Sequence, residues 1–189
     1  KDVVRLLTLQ RCGMELDEDL AGKFAHPECH TDIATVYGTS EKKDVSGGWH
    51  DAGDYGRYVV PGAKTVADLF LSYRESEASR GDDFGIPESG NGVPDILDEA
   101  RYELEFFLKM QADNGGVYHK VTCAVFPETV MPEEPFRGLV VFGEVNRHVS
   151  GGITFHLVNL PQIMNDHPGQ QQIPVQPGID PQRCFRHPQ

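Results

Sequence analysis

The chain has 189 residues and carries 29 acidic against 17 basic side chains, a formal net charge of −12 at pH 7. This acidity repels nucleic acids and anionic lipid surfaces, so neither is an expected partner. No run of 18 apolar residues is present, which argues against a membrane-spanning helix, and the first residues lack the small-residue cleavage site of a signal peptide.

Three amphipathic helices are predicted from apolar side chains that recur at three or four residues. The first covers residues 2–16, and the second begins near Pro61 in the run GAKTVADLFLSYRES. The third begins at Pro94 and Asp95 and ends before residues 114–116. Residues 17–48 have no sustained period, so we expect an ordered but irregular loop there.

Acidic residues are frequent at the start of the third predicted helix: Asp95, Asp98, Glu99 and Glu103. Carboxylates in the first turns of a helix complement its N-terminal dipole. We therefore expect these side chains to be solvated.

The composition changes near residue 134. Residues 117–134 predict a short extended stretch, VYHKVTCAVF, and a proline-rich loop. Residues 135–189 hold seven prolines and a glutamine cluster but no helical period long enough to bury a face. The sequence therefore divides into residues 1–134 and an irregular tail, 135–189.

Two aspartates three residues apart, Asp51 and Asp54, lie in the segment GGWHDAGDYGRY at 47–58. The neighbouring glycines let the backbone approach a ligand closely, so both carboxylates can act on one water molecule. Glycoside hydrolysis needs a base that activates water and an acid on the opposite side of the scissile bond. Asp51 and Asp54 are too close in sequence to fill both roles comfortably, so a third carboxylate is expected to be the acid. From composition alone, a calcium-binding loop is an equal alternative.

Aromatic side chains flank these aspartates: Trp49, Tyr55 and Tyr58. Sugar rings stack on flat aromatic faces, so these residues are candidate substrate contacts in a carbohydrate cleft.

Two thiols and two imidazoles form a candidate metal site with the donor types of a closed zinc centre: Cys12, Cys29, His30 and His50. Their spacing fits no finger motif, so only folding could bring them together. A pair of buried free cysteines, or a Cys12–Cys29 disulfide, is the alternative that the residues alone leave open.

Long segments resemble the family 9 glycoside hydrolases, which are inverting β-1,4-glucanases built on an (α/α)6 barrel. The resemblance rests on GGWHDAGDYGRYVVPG, on IPESGNGVPDILDEARYELEFFLKMQ at 86–111, and on GGVYHKVTCAVFPETVMPEE at 115–134. It implies that Asp54 is the catalytic base and that Asp51 helps to hold the water. His119 lies in a matching stretch and is a candidate β-glucan contact, with a hydrogen-bonded structural histidine as the alternative. The resemblance also implies cellulose or a related glucan as the substrate and secretion from the cell.

A subgroup of this family combines RCG, HPxCH and GGWHDAGD motifs, and all three stand in this sequence. That resemblance implies a structural zinc ion on Cys12, Cys29, His30 and His50, with His26 as a reserve ligand. Calcium, which several members of the family bind, is a further expected ion without assignable residues.

The sequence departs from the family after residue 134. Three predicted helices cannot close a twelve-helix barrel. No segment of this sequence resembles the one that carries the glutamate acting as general acid in the family. We therefore expect a mainly α, incomplete barrel with long functional loops and negligible activity. Activity would mean that a glutamate such as Glu128, Glu133 or Glu144 donates the proton. The alternative is a non-catalytic carbohydrate-binding or zinc-stabilised fragment.

Overall fold

The computed structural model describes residues 1–125, 130–132 and 139–142. Four α-helices lie within these residues: α1 (Asp2–Thr8), α2 (Glu18–Ala21), α3 (Val59–Glu75) and α4 (Asp95–Lys109). Short 3₁₀ turns follow α2 at Gly22–Phe24 and α3 at Glu77–Ser79. No helix in this part of the chain is long and apolar enough to cross a bilayer.

The second and third predicted helices are confirmed, whereas the first is shorter than expected. Helix α1 ends at Thr8 because the following residues leave the helix and pair with the segment around Trp49. The amphipathic period of residues 2–16 therefore arises from two different elements, a helix and an extended segment, that face the same core.

Five short strands within the described residues form one mixed sheet in the order β2-β1-β5-β4-β3. The strands are β1 (Ala34–Val36), β2 (Lys42–Lys43), β3 (Arg57–Tyr58), β4 (Lys120–Cys123) and β5 (Leu139–Phe142). Strand β5 runs parallel to β1 and antiparallel to β4.

Two expectations about irregular structure are thereby corrected. The loop predicted at 17–48 contains helix α2 and strands β1 and β2. The tail predicted to be irregular supplies β5, because its short apolar run fits between two strands that each offer a free edge. The other residues of the tail, among them Glu144 and Cys184, lie outside the described residues, as do Glu128 and Glu133.

Helix α4 is the central element of the core. Ten of its 15 residues are buried, so it is covered on most of its circumference rather than on one stripe. Helix α3 packs against it through Val66 and Leu69, and Phe106 and Phe107 of α4 are each 1% exposed.

The expectation that the acidic residues of α4 are solvated is wrong. Asp95, Asp98, Glu99 and Glu103 are at most 2% exposed. Asp95 accepts hydrogen bonds from the Phe84 N–H at 2.5 Å and the Ser89 hydroxyl at 2.8 Å, and Asp98 accepts one from the Asn91 amide at 2.9 Å. Buried carboxylates are tolerated when such donors satisfy them, and the donors come from loops that helical periodicity does not reveal.

Candidate active site and metal centre

The segments at 10–12 and 48–50 run side by side as an antiparallel pair centred on Arg11 and Trp49. The Cys12 N–H donates to the Gly48 carbonyl at 2.8 Å, and the His50 N–H donates to the Gln10 carbonyl at 2.8 Å. Cys12 and His50 therefore emerge from neighbouring segments of backbone although 38 positions separate them in sequence.

A second backbone pairing positions the other two candidate ligands. Leu16 and His26 exchange two main-chain hydrogen bonds of 2.9 Å, which turns the chain so that residues 29 and 30 return to the cluster. His30 adopts a left-handed backbone conformation with φ of 53°. Non-glycine residues adopt this conformation infrequently, and they concentrate at functional positions.

The structure brings together the four predicted metal ligands, Cys12, Cys29, His30 and His50. One ligand atom from each lies within 4.8 Å of the others, and the Cys29 Sγ is 3.8 Å from the His50 Nε2. An ideal tetrahedral zinc site has ligand–ligand separations of about 3.3–3.8 Å, which follow from its bond lengths. His26 is not in this group, and its Nδ1 lies 2.7 Å from the Pro27 carbonyl.

The electrostatics of this cluster suit a metal. Cys12 and Cys29 are free thiols rather than a disulfide. Burial raises the pKa of Cys12, while the hydrogen bond from the Cys12 side chain lowers the pKa of Cys29, so Cys29 ionises first. Burial lowers the pKa of His50, which keeps its imidazole in the neutral form that binds metals.

Asp51 and Asp54 lie in a tight turn immediately after His50. The Asp51 N–H donates to the Gly56 carbonyl at 2.8 Å, and the Gly56 N–H donates to the Asp54 Oδ1 at 3.2 Å. Tyr55 stands at the corner with a left-handed φ of 52°. The turn leaves Asp51 exposed and Asp54 half-buried.

Tyr58 lies next to both aspartates. Burial raises the pKa of its hydroxyl, and the charges of Asp54 and Asp51 raise it further. Its ring meets the exposed His119 edge-on, with a centroid separation of 6.2 Å, because strand β3 pairs with β4. Tyr58 and Asp51 line an open cleft of about 310 Å³ together with Trp49, His50 and residues of α1 and α3.

The other two predicted sugar contacts have further partners. Trp49 is 7% exposed, and its indole N–H donates to the Glu99 carboxylate at 2.7 Å. Tyr55 packs against the rings of His30 and His50 at centroid distances of 5.7 and 5.1 Å, and its hydroxyl donates to the Val130 carbonyl at 2.8 Å. Tyr55 thus forms one wall of the metal cluster.

Three buried residues that the sequence analysis did not assign to the site contact it or one another: Arg11, Glu99 and Glu103. Arg11 is 1% exposed and pairs with Glu99 at 3.0 Å and with Glu88 at 2.9 Å. Glu103 accepts the Trp49 main-chain N–H at 2.8 Å, and burial raises its pKa to about 8. The spacing of Glu99 and Glu103 by one helical turn is the signal that could have indicated a shared task.

The model of glycosyl hydrolase family 9 matches residues 1–137. The chain therefore belongs to this family.

Relatives of known function agree with this assignment. The chain is 43% identical over 147 residues to a cellodextrinase of Butyrivibrio fibrisolvens and 39% identical over 132 residues to endoglucanase D of Acetivibrio thermocellus. These alignments cover 75% and 66% of this chain but 27% and 21% of the two relatives. The chain thus spans about a quarter of the length of these proteins.

Solved structures show the same relationship. A single mutant of a thermostable endoglucanase from Alicyclobacillus acidocaldarius matches with a TM-score of 0.77 and 36% identity, over 86% of this chain and 32% of that one. A zinc-binding triple mutant of a family 9 endoglucanase matches with a TM-score of 0.67 and 28% identity, over 87% of this chain and 37% of that one. The likeness supports, in general, the expected relation to an (α/α)6 barrel.

Proposed function

We propose that this chain forms the water-activating part of a β-1,4-glucanase that hydrolyses cellulose or a related β-glucan with inversion. Asp54 is the general base, and Asp51 holds the same water molecule. The observation that carries the proposal is the turn at 51–56, which presents Asp51 at an open cleft and holds Asp54 beside Tyr58, a residue of the same cleft.

In this mechanism Asp54 removes a proton from the water as its oxygen attacks the anomeric carbon. The bond to the leaving oxygen breaks while an acid on the opposite side protonates that oxygen. Inversion requires the two carboxyl groups to stand about 6.5–9.5 Å apart with the water between them. We assign the acid to another part of the family 9 catalytic domain. The present chain aligns with 27% of the length of the Butyrivibrio fibrisolvens cellodextrinase.

The substrate rests on the aromatic side of the cleft. Tyr58 lies beside the aspartates and its ring contacts the exposed His119. Trp49 and Tyr55 shape the loop from which Asp51 and Asp54 project. A polymeric glucan cannot enter a cell, so we place the enzyme outside it.

A structural zinc ion completes this proposal, held by Cys12, Cys29, His30 and His50. Two thiolates and two imidazoles fill a tetrahedral coordination shell, which leaves no position for a reactive water. When bound, the ion would supply cross-linking rather than Lewis-acid chemistry, because it ties residues 12 and 29–30 to the start of the catalytic turn.

The test is a hybrid enzyme in which residues 1–134 of this chain replace the matching segment of the Butyrivibrio fibrisolvens cellodextrinase. We expect the hybrid to hydrolyse cello-oligosaccharides and Asp54→Asn to lower kcat by about 10²–10⁴-fold, because the general base is lost. Azide, an anionic nucleophile that needs no base, should restore part of the turnover of Asp54→Ala.

The matched control is Asp113→Asn, an exposed aspartate in the turn after α4, which should leave kcat unchanged. Full activity of the Asp54→Asn hybrid would refute the assignment of the base. The 189-residue chain alone should bind glucan without measurable turnover, and turnover abolished by Asp54→Ala would place an acid within this chain.

A further inference from the structure

Helix α4 holds Trp49 at two points. Glu103 accepts its main-chain N–H at 2.8 Å, and Glu99 accepts its indole N–H at 2.7 Å. Trp49 comes two residues before Asp51, so these contacts fix the main chain where it enters the catalytic turn. Glu103 also lines the same cleft as Asp51.

The two glutamates differ in their surroundings. Glu99 belongs to an ionic network, with Arg11 at 3.0 and 3.2 Å and the Thr8 hydroxyl at 2.5 Å. The Oε2 of Glu103 accepts a hydrogen bond from the main-chain N–H of Trp49 in the loop. Glu99 therefore orients a side chain, whereas Glu103 orients the backbone.

The carboxyl group of Glu103 is confined between α3 and the loop. A Cβ atom on Gly62 of α3 would collide with its Oε1, and one on Gly48 would lie 3.1 Å from its Oε2. A side chain at either glycine would therefore displace the Glu103 carboxyl, and the absence of a Cβ atom at both positions leaves the carboxyl its space. Glu103 is 1% exposed, so its carboxyl is enclosed by protein atoms.

We propose that Glu103 is a positioning residue for hydrolysis: its carboxyl group fixes the main chain at Trp49 and thereby sets where Asp51 holds the attacking water. This inference rests on the proposed function. A displacement of about 1 Å in such a geometry can cost about 10²-fold in rate.

The experiment uses the hybrid enzyme with Glu103→Ala and Glu103→Gln. We expect Glu103→Ala to lower kcat by about 10–100-fold with KM within about threefold, because the substrate still binds while the water is misplaced. Glu103→Gln keeps an acceptor oxygen of the same shape and is neutral, like the protonated carboxyl, so kcat should stay within about threefold of the parent. The exposed Glu105 of the same helix provides the control variant Glu105→Gln.

Gly62→Ala perturbs the same contact from the other side. It should lower kcat by about 10-fold in the parent hybrid because the new methyl group displaces the carboxyl. In the Glu103→Ala background its further effect on kcat should be much smaller, because the clash with the carboxyl is gone and the Phe107 ring, 3.1 Å from the new methyl group, is the neighbour that remains. This non-additivity separates a specific contact from general damage to the core. If Glu103→Ala fails to fold, Gly62→Ala and Glu103→Gln decide the question.

A second readout needs no catalysis. Trp49 is the single tryptophan of the chain. In the 189-residue protein, Glu103→Ala should shift its emission and increase its quenching by acrylamide, while Glu103→Gln should not.

Unchanged kcat in Glu103→Ala or in Gly62→Ala, with only a lower unfolding temperature, would reduce Glu103 to a structural residue and overturn the inference. The proposed function fails separately, if Asp54→Asn retains activity.

Discussion

At the scale of a single side chain, Arg11 connects the candidate metal site to helix α4. Its guanidinium group bonds to Glu99 and Glu88 and stacks over the Tyr102 ring, 4.3 Å from the centroid. Its main chain pairs with Trp49, and the next residue is the candidate ligand Cys12. The hydroxyl of Tyr102 donates to the Cys12 carbonyl at 2.6 Å and reinforces the same link.

Arg11→Met should therefore destabilise the protein strongly. The substitution leaves the carboxylate of Glu99 buried without its counter-ion, which typically costs about 3–5 kcal/mol. Urea unfolding followed by circular dichroism measures the change. The exposed pair of Arg74 and Glu75 provides the control, because Arg74→Met should cost less than about 1 kcal/mol. Equal effects of the two substitutions would contradict the buried network.

The raised pKa of Glu103 predicts a pH dependence of stability. At a pH below 4.5, the ordinary pKa of a glutamate, the carboxyl is protonated in both the folded and the unfolded chain. Above that value only the unfolded chain releases the proton, so stability falls as the pH rises towards about 8, by at most about 1.4 kcal/mol per pH unit. Denaturant midpoints between pH 5 and 8 should fall in the parent relative to Glu103→Gln. Parallel curves for the two proteins would show that the carboxyl is ionised in the folded state.

At the scale of elements, periodicity predicted helices α3 and α4 because apolar side chains recur at three or four residues in both. It could not predict the burial of the acids on α4, since Arg11 and Trp49, which satisfy Glu99 and Glu103, lie 50–88 positions away in sequence. The end of α1 was missed for the same reason, because pairing with the segment around Trp49 overrides the local helical pattern.

The candidate site, too, could be predicted from the sequence only in part. The spacing of Cys12, Cys29, His30 and His50 left a disulfide or free thiols as alternatives, and only the family resemblance favoured a metal. The structure brings the four residues together through two long-range backbone pairings. The roles of Asp51 and Asp54 stay predictions, whereas the contact of Tyr55 with the metal cluster could not be predicted because it depends on its left-handed backbone.

The backbone of the loop approaches α4 closely at Gly48. It has a positive φ of 77°, and a Cβ atom there would lie 2.7 Å from the Phe106 ring. Gly48→Ala should cost about 2–4 kcal/mol through backbone strain and overpacking. Gly53→Ala is the control in the same loop, because a Cβ atom on Gly53 would meet nothing within 4 Å and its φ is not left-handed. Thermal unfolding that ranks the two variants equally would contradict this packing.

At the scale of the whole molecule, the candidate metal site joins three segments that are distant in sequence. The candidate ligands come from the segment after α1, from the loop before β1 and from the residue that precedes the turn at 51–56. A metal bound only by the folded chain stabilises the fold as a whole.

Chelation should therefore lower the unfolding temperature of the purified protein and shift the emission of Trp49. We expect Cys29→Ser to lose zinc, as measured by elemental analysis, and to become insensitive to chelator. Cys123→Ser is the control, because Cys123 is a buried free thiol outside the cluster. Retention of one zinc per chain by Cys29→Ser would remove this residue from the ligand set.

Strand β5 gives the sheet an unusual dependence on a short sequence. The family match ends at residue 137, and β5 begins at Leu139 yet occupies the middle of the sheet, between β1 and β4. Without these four residues the sheet would separate into two ribbons of two strands, each too small to persist in water. A truncated chain would then present two vacant edges of matched spacing, to which a synthetic peptide with the sequence LVVF could add as a replaceable part.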